Sequence, residues 1–128
     1  MTLKKEIYKC EVCGNVIEIV GEGMGTLVCC GKSITQQKEN VVDASKEKHI
    51  PVIKITPKET IIEVGSIPHP MEASHYIMWI EAETEKGNIL KFLKPGEKPE
   101  MIIPNDVNIK TARAYCNLHG LWKGTRSQ

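Results

Sequence analysis

The chain has 128 residues, 41% hydrophobic and 26% charged, the size of one ordinary domain or a small one with an appended module. A net charge of +1 excludes the strong basic field that marks a nucleic-acid or membrane-surface binder. Only six residues are aromatic, which leaves the core to Ile, Val, Leu and Met, and no apolar run approaches the ~20 residues of a spanning helix.

The stretch from Met1 to Lys9 is charged and lacks the apolar segment of a secretory signal, so the expected compartment is the cytoplasm. Disulfides are rare there, and five cysteines then read as metal ligands or redox groups.

Residues 1 to about 36 are expected to form a first unit. Glu6 to Cys10 and Val16 to Val20 read as short strands around the turn Cys13-Gly14-Asn15, and Gly21, Gly23 and Gly25 as a flexible loop before Cys29-Cys30-Gly31. So small a unit buries little core, and a metal would supply the missing stability. Lys32 to Lys46 is polar and reads as a linker.

From Ile50 onward the pattern is β. Val52 to Ile55, Thr60 to Val64, Tyr76 to Glu83, Ile89 to Leu93, Met101 to Ile103 and Thr111 to Tyr115 are predicted strands, separated by Pro- and Gly-containing turns. Tyr76, Met78, Ile80 and Ala82 alternate with Ile77, Trp79 and Glu81, a strand period. Short strands at this spacing predict a Greek-key β-sandwich.

The nine Cys and His residues divide into two donor sets. Cys10 and Cys13 have C-x-x-C spacing, and Cys29 and Cys30 stand side by side where a zinc ribbon would have a second C-x-x-C. Adjacent thiolates reach one ion only with a strained bite, which predicts distorted tetrahedral geometry. Four thiolates suit Zn or a single Fe. A zinc knuckle that merely holds the module together fits this spacing equally well, whereas a vicinal Cys29–Cys30 disulfide is disfavoured by a reducing compartment.

The second set is His49, His69, His75, Cys116 and His119. Each histidine lies in a short segment with Pro, Gly or Cys close by, beside turn-forming residues. Four imidazoles and one thiolate favour a redox metal or zinc and leave one octahedral position open, as a catalytic metal requires. Glu47 and Lys48 put a carboxylate and an ammonium just before His49. They are either two solvated surface charges or, functionally, a device for attracting a small anion. A one-electron carrier that uses only the N-terminal ion, or a zinc-stabilised binding module without redox chemistry, remains compatible with the cysteine spacing alone.

Taken in order, Cys10-x-x-Cys13, Cys29-Cys30, Glu47-Lys48-His49-x-Pro51, His69-Pro70-Met71, His75 and Cys116-Asn117-x-His119-Gly120 resemble desulfoferrodoxin, the two-iron form of superoxide reductase, over essentially the whole chain. The resemblance implies a desulforedoxin-like module (1–36) holding a four-cysteine iron. It implies an immunoglobulin-like sandwich (37–128) holding a second, catalytic iron, with His49, His69, His75 and His119 equatorial and Cys116 axial. It further implies a homodimer and one-electron reduction of superoxide to hydrogen peroxide without oxygen release. Lys48 would draw in superoxide and orient a proton-donating water, and Glu47 would close the oxidised site. The four-cysteine iron would act at most as a relay, and an external donor such as rubredoxin would re-reduce the catalytic iron. Ala114 departs from the many relatives that carry Glu at that position.

Overall fold

Short apolar segments punctuated by Gly and Pro favour short strands. Among the described residues the chain forms twelve of them and no helix. The computed structural model describes residues 1–41 and 49–126. Contacts divide the chain into two units, Met1–Lys38 and Glu39–Gln128.

In the first unit β1 (Ile7–Lys9) lies between β2 (Val16–Glu18) and β5 (Thr35–Gln37), all antiparallel. A hairpin of β3 (Val28–Cys29) and β4 (Lys32–Ser33) completes it. Lys32–Ser33 and Thr35–Gln37 are therefore strands, not linker. Thr35 and Gln36 are exposed, so composition shows nothing apolar there; what orders them is the backbone ladder to β1. Ile7, Cys10 and Ile19 are the buried apolar side chains of this unit.

The second unit has seven strands: β6 (Pro51–Ile55), β7 (Glu59–Val64), β8 (Ile77–Thr84), β9 (Gly87–Phe92), β10 (Glu100–Pro104), β11 (Ile109–Cys116) and β12 (Gly120–Thr125). One sheet runs β10-β7-β6 and the other β12-β11-β8-β9. First, second and fifth strands thus oppose third, sixth and seventh. That is the immunoglobulin arrangement, with the fourth strand on the edge next to the third. Ile53, Ile62, Val64, Ile80, Ala112 and Ala114 meet in the core between the sheets.

Strand β12 goes beyond the expected set. Two glycines interrupt its short apolar run, and glycine ordinarily weakens a strand. Here Gly124 has a packing reason. A Cβ on it would overlap the carbonyl oxygen of Pro51 and come within 3.1 Å of its carbonyl carbon, so β12 and β6 approach too closely for any other residue. Gly124→Ala is expected to cost about 1–3 kcal/mol, as overpacking does. The check is a denaturant titration, in which an unchanged midpoint would show that β6 yields freely.

The alternation over residues 76–83 is real, but it does not separate a wet face from a dry one. On β8 and β11, Ile80, Ala82, Ala112 and Ala114 face the core, while Trp79, Glu81, Arg113 and Tyr115 take the opposite face and are also buried. Arg113 Nε donates to Glu81 Oε1 at 2.9 Å, Nη2 donates to the same oxygen, and Nη1 reaches Glu39 at 3.2 Å. Trp79 and Tyr115 stack beside this pair with ring centroids 5.7 Å apart.

Candidate metal centres

Two tight turns bring four sulfurs together in the first unit. Gly14, with φ of +84°, lets the chain reverse so that its N–H meets Cys10 O at 2.8 Å, which places Cys10 and Cys13 on one side of the knuckle. Cys30 and Gly31 form the two-residue loop between β3 and β4, and both have positive φ, 53° and 75°. Two such residues are what a type I′ hairpin turn requires. A non-glycine residue there is strained, and that strain accompanies the adjacent-thiol bite.

The Cys13 and Cys29 sulfurs are 3.5 Å apart, those of Cys29 and Cys30 4.0 Å, and all four lie within 4.8 Å of one another. An ion with tetrahedral bonds of ~2.3 Å to sulfur needs sulfur spacings of roughly 3.8 Å, so the set fits a single four-coordinate metal. The electrostatics agree. The Cys13 N–H holds the Cys10 thiol down at about 6, while hydrogen bonding with Cys13 and Cys10 pushes Cys30 up to about 12. Four sulfurs this close cannot all be anionic without a cation among them.

The second set is assembled from four separate turns of the sandwich. His49 immediately precedes β6. His69 follows β7 beyond the turn at Gly65, which has φ of +81°. His75 closes a small loop in which it exchanges two backbone hydrogen bonds with Glu72 at 3.0 Å. Cys116 ends β11, and His119 lies in the loop that pairs Cys116 with Gly120, whose φ of +84° closes the hairpin. Between Tyr115 and Cys116 the register with β8 slips, so that Cys116 faces Ile77. Such a bulge re-aims a side chain at the end of a strand.

The four imidazoles form a square. Successive ring centroids, His49–His69, His69–His75, His75–His119 and His119–His49, are 4.8, 4.7, 5.0 and 4.8 Å apart, each pair edge to face. The His49–His75 diagonal is 6.4 Å. Half of it, about 3.2 Å, is the length of a metal–nitrogen bond of ~2.0–2.1 Å plus the ring's own radius. The donor atoms of His49, His75, Cys116 and His119 lie within 4.8 Å of one another. His69 stands at the fourth corner, across from His119.

Buried nitrogens mark candidate donors. His69 Nδ1–H donates to Pro70 O at 2.7 Å, which leaves Nε2 with its lone pair free, and that atom is buried without a partner. His75 Nε2 is buried without a partner as well. His49 Nε2 and His119 Nδ1 are 3.1 Å apart, and His119 Nδ1 is 3.8 Å from Cys116 Sγ. Burial lowers His69 to about 4, against the opposing pull of Pro70 O, so the ring is neutral, the form that binds metal. Burial raises the Cys116 thiol, while the N–H groups of His119 and Leu118 act in the opposite direction. Those N–H groups would stabilise a thiolate once a cation is present. The donor set therefore fits a five-coordinate metal, with sulfur on the core side and imidazoles around it.

Glu47 and Lys48 lie outside the described residues. Ala114 is fully buried on the core face, opposite Ile80 and Trp122 in register. Two residues, one of them already within the Cys116-Asn117-x-His119 motif, have roles that the sequence did not reveal. Asn117 Oδ1 accepts the Tyr76 N–H at 2.9 Å and its Nδ2 donates to Ser74 O at 3.1 Å, tying the His75 turn to the Cys116 loop. Trp122 stacks on His49, with centroids 4.6 Å apart and planes inclined by 17°. Their closeness in sequence to Cys116 and His119 was the only signal.

Comparison with known proteins agrees with this geometry. The desulfoferrodoxin family pattern matches residues 41–125, and that of the desulfoferrodoxin N-terminal domain matches residues 2–36. A desulfoferrodoxin from Syntrophotalea carbinolica is 50% identical, covering 95% of this chain and 97% of its own. One from Desulfarculus baarsii is 46% identical over 96% and 98%. The crystal structure of superoxide reductase from Treponema pallidum superposes with a TM-score of 0.77 at 29% identity, covering 94% of this chain and 97% of that one.

Proposed function

Because the chain belongs to the desulfoferrodoxin family, we propose that it reduces superoxide to hydrogen peroxide and thereby detoxifies it. Its mainly β architecture is a desulforedoxin-like module followed by an immunoglobulin-like sandwich, and it uses two iron ions, one per donor set. The square of imidazoles around a buried thiol, two of its nitrogens orphaned, carries the reading.

Cys10, Cys13, Cys29 and Cys30 would hold one iron. His49, His69 and His75 through Nε2, His119 through Nδ1 and Cys116 through Sγ would hold the other. Iron bound there in the ferrous form would supply one electron to superoxide, and two protons would complete hydrogen peroxide with no dioxygen released. The protein's part is to keep the His69 ring neutral, to hold the four rings at the corners of the square, and to keep the thiolate dry and hydrogen-bonded by Leu118 and His119. Lys48, one residue before His49, attracts the anion and holds a proton-donating water. Glu47 would close the oxidised site. An external donor such as rubredoxin returns the electron, and the chain works as a homodimer.

The deciding experiment measures peroxide formed per superoxide consumed, with pre-reduced protein in excess. About one peroxide per superoxide is expected. A yield near one half with oxygen evolved would mean dismutation, and no acceleration over the blank would return the chain to an electron carrier or a structural module. Lys48→Ile is expected to slow the reaction about tenfold or more at low salt and to flatten its ionic-strength dependence. An unchanged rate and salt slope would make Lys48 an ordinary solvated charge.

A further inference from the structure

The imidazole square is held from outside at one corner by a side chain that is not a ligand. Trp122 is 9% exposed on β12, its backbone paired with Ala114 on one side and bridged to Asn40 on the other. Asn40 secures that bridge from its own side, donating Nδ2–H to Leu121 O at 2.9 Å and accepting the Lys123 N–H at 2.9 Å. The indole backbone is thus fixed on both flanks.

From this position the indole makes two different contacts with two neighbouring corners. Its face covers the His49 ring at 4.6 Å and 17°, within the stacking range. Its Nε1–H donates to His119 O at 3.1 Å. His49 and His119 are the pair whose donor nitrogens are 3.1 Å apart. The His49 ring therefore has Trp122 on one face and meets His69 and His119 edge to face. Rotation about its side-chain bonds would break the stack and the square together.

We propose that Trp122 is a positioning residue of the five-donor centre: its ring face sets the plane of His49, and its indole N–H sets the loop carbonyl of His119. The inference rests on the assignment of iron to this centre. Partners outside the ligand set fix ring orientation and typically carry about 10–100-fold in metal affinity. A ring plane turned away from its bond to the metal also changes orbital overlap, so the visible absorption of the oxidised centre reports the same effect.

The test uses full-length protein loaded with both irons, and follows iron release to a chelator together with the absorption spectrum. The four-cysteine iron in the same chain serves as the internal reference. Trp122→Phe keeps a stacking face and loses the N–H. It should release the second iron a few-fold faster with its band unmoved. Trp122→Leu loses both contacts and should release that iron about 10–100-fold faster, with a shifted band. Wild-type release from both variants would overturn the proposal. So would a Leu variant that merely melts earlier with its band in place, because that is ordinary lost packing. Should the Leu variant not fold, the Phe variant decides by its release rate alone. Neither readout depends on superoxide, so failure of the proposed activity in the wild type would be seen separately.

Discussion

Cys116→Ser should leave a protein with one iron per chain instead of two and no measurable superoxide reduction. Cys116 is fully buried, and the two N–H groups beside it stabilise negative charge on sulfur. A serine hydroxyl does not ionise there, so the site loses its one anionic donor and the charge that a thiolate pushes onto iron. The loss should exceed the ~10–100-fold typical of partners outside the ligand set. Iron counted per chain, together with disappearance of the thiolate absorption, checks this. Full iron content with full rate would remove Cys116 from the ligand set.

Glu81→Ala should be the most damaging substitution that touches no ligand. Both Glu81 and Arg113 are 2% exposed, so deleting the carboxylate takes a buried charge partner from a buried guanidinium, which also reaches the partly exposed Glu39. Breaking one side of such a pair costs about 3–5 kcal/mol. For a unit this size a kcal/mol is about 4–8 °C, so the melting temperature should drop by roughly 12 °C or more. The double change Glu81→Leu with Arg113→Met should recover much of the loss, since an apolar pair of similar volume carries no desolvation cost. A melt within a degree or two of wild type for the single variant would show the pair to be hydrated.

The pair also marks the limit of the pattern in residues 76–83. A period of two says that Glu81 and Ile80 point to opposite faces. Whether both faces are covered depends on what packs over them, and that partner lies elsewhere in the chain. Glu81 and Arg113 are 32 residues apart and meet only through the β8–β11 register. Strands β5 and β12 were missed for a related reason. Their order comes from backbone hydrogen bonds to β1 and β11, and backbone pairing leaves little trace in composition.

Sequence alone determined the inventory of chemistry: nine donor side chains, their division into two sets, and the turn residues beside each histidine. Ligation demands particular atoms in particular short loops, so its signature is local and survives in the order of residues. Tertiary structure alone decided the rest. It set the square of rings, which ring nitrogens face into it, the indole over His49, and the glycine that lets β12 touch β6. Most of these properties arise where segments far apart in sequence, 70 residues for His49 and His119, are brought together. Their geometry is fixed by how two sheets stack, which no single segment encodes.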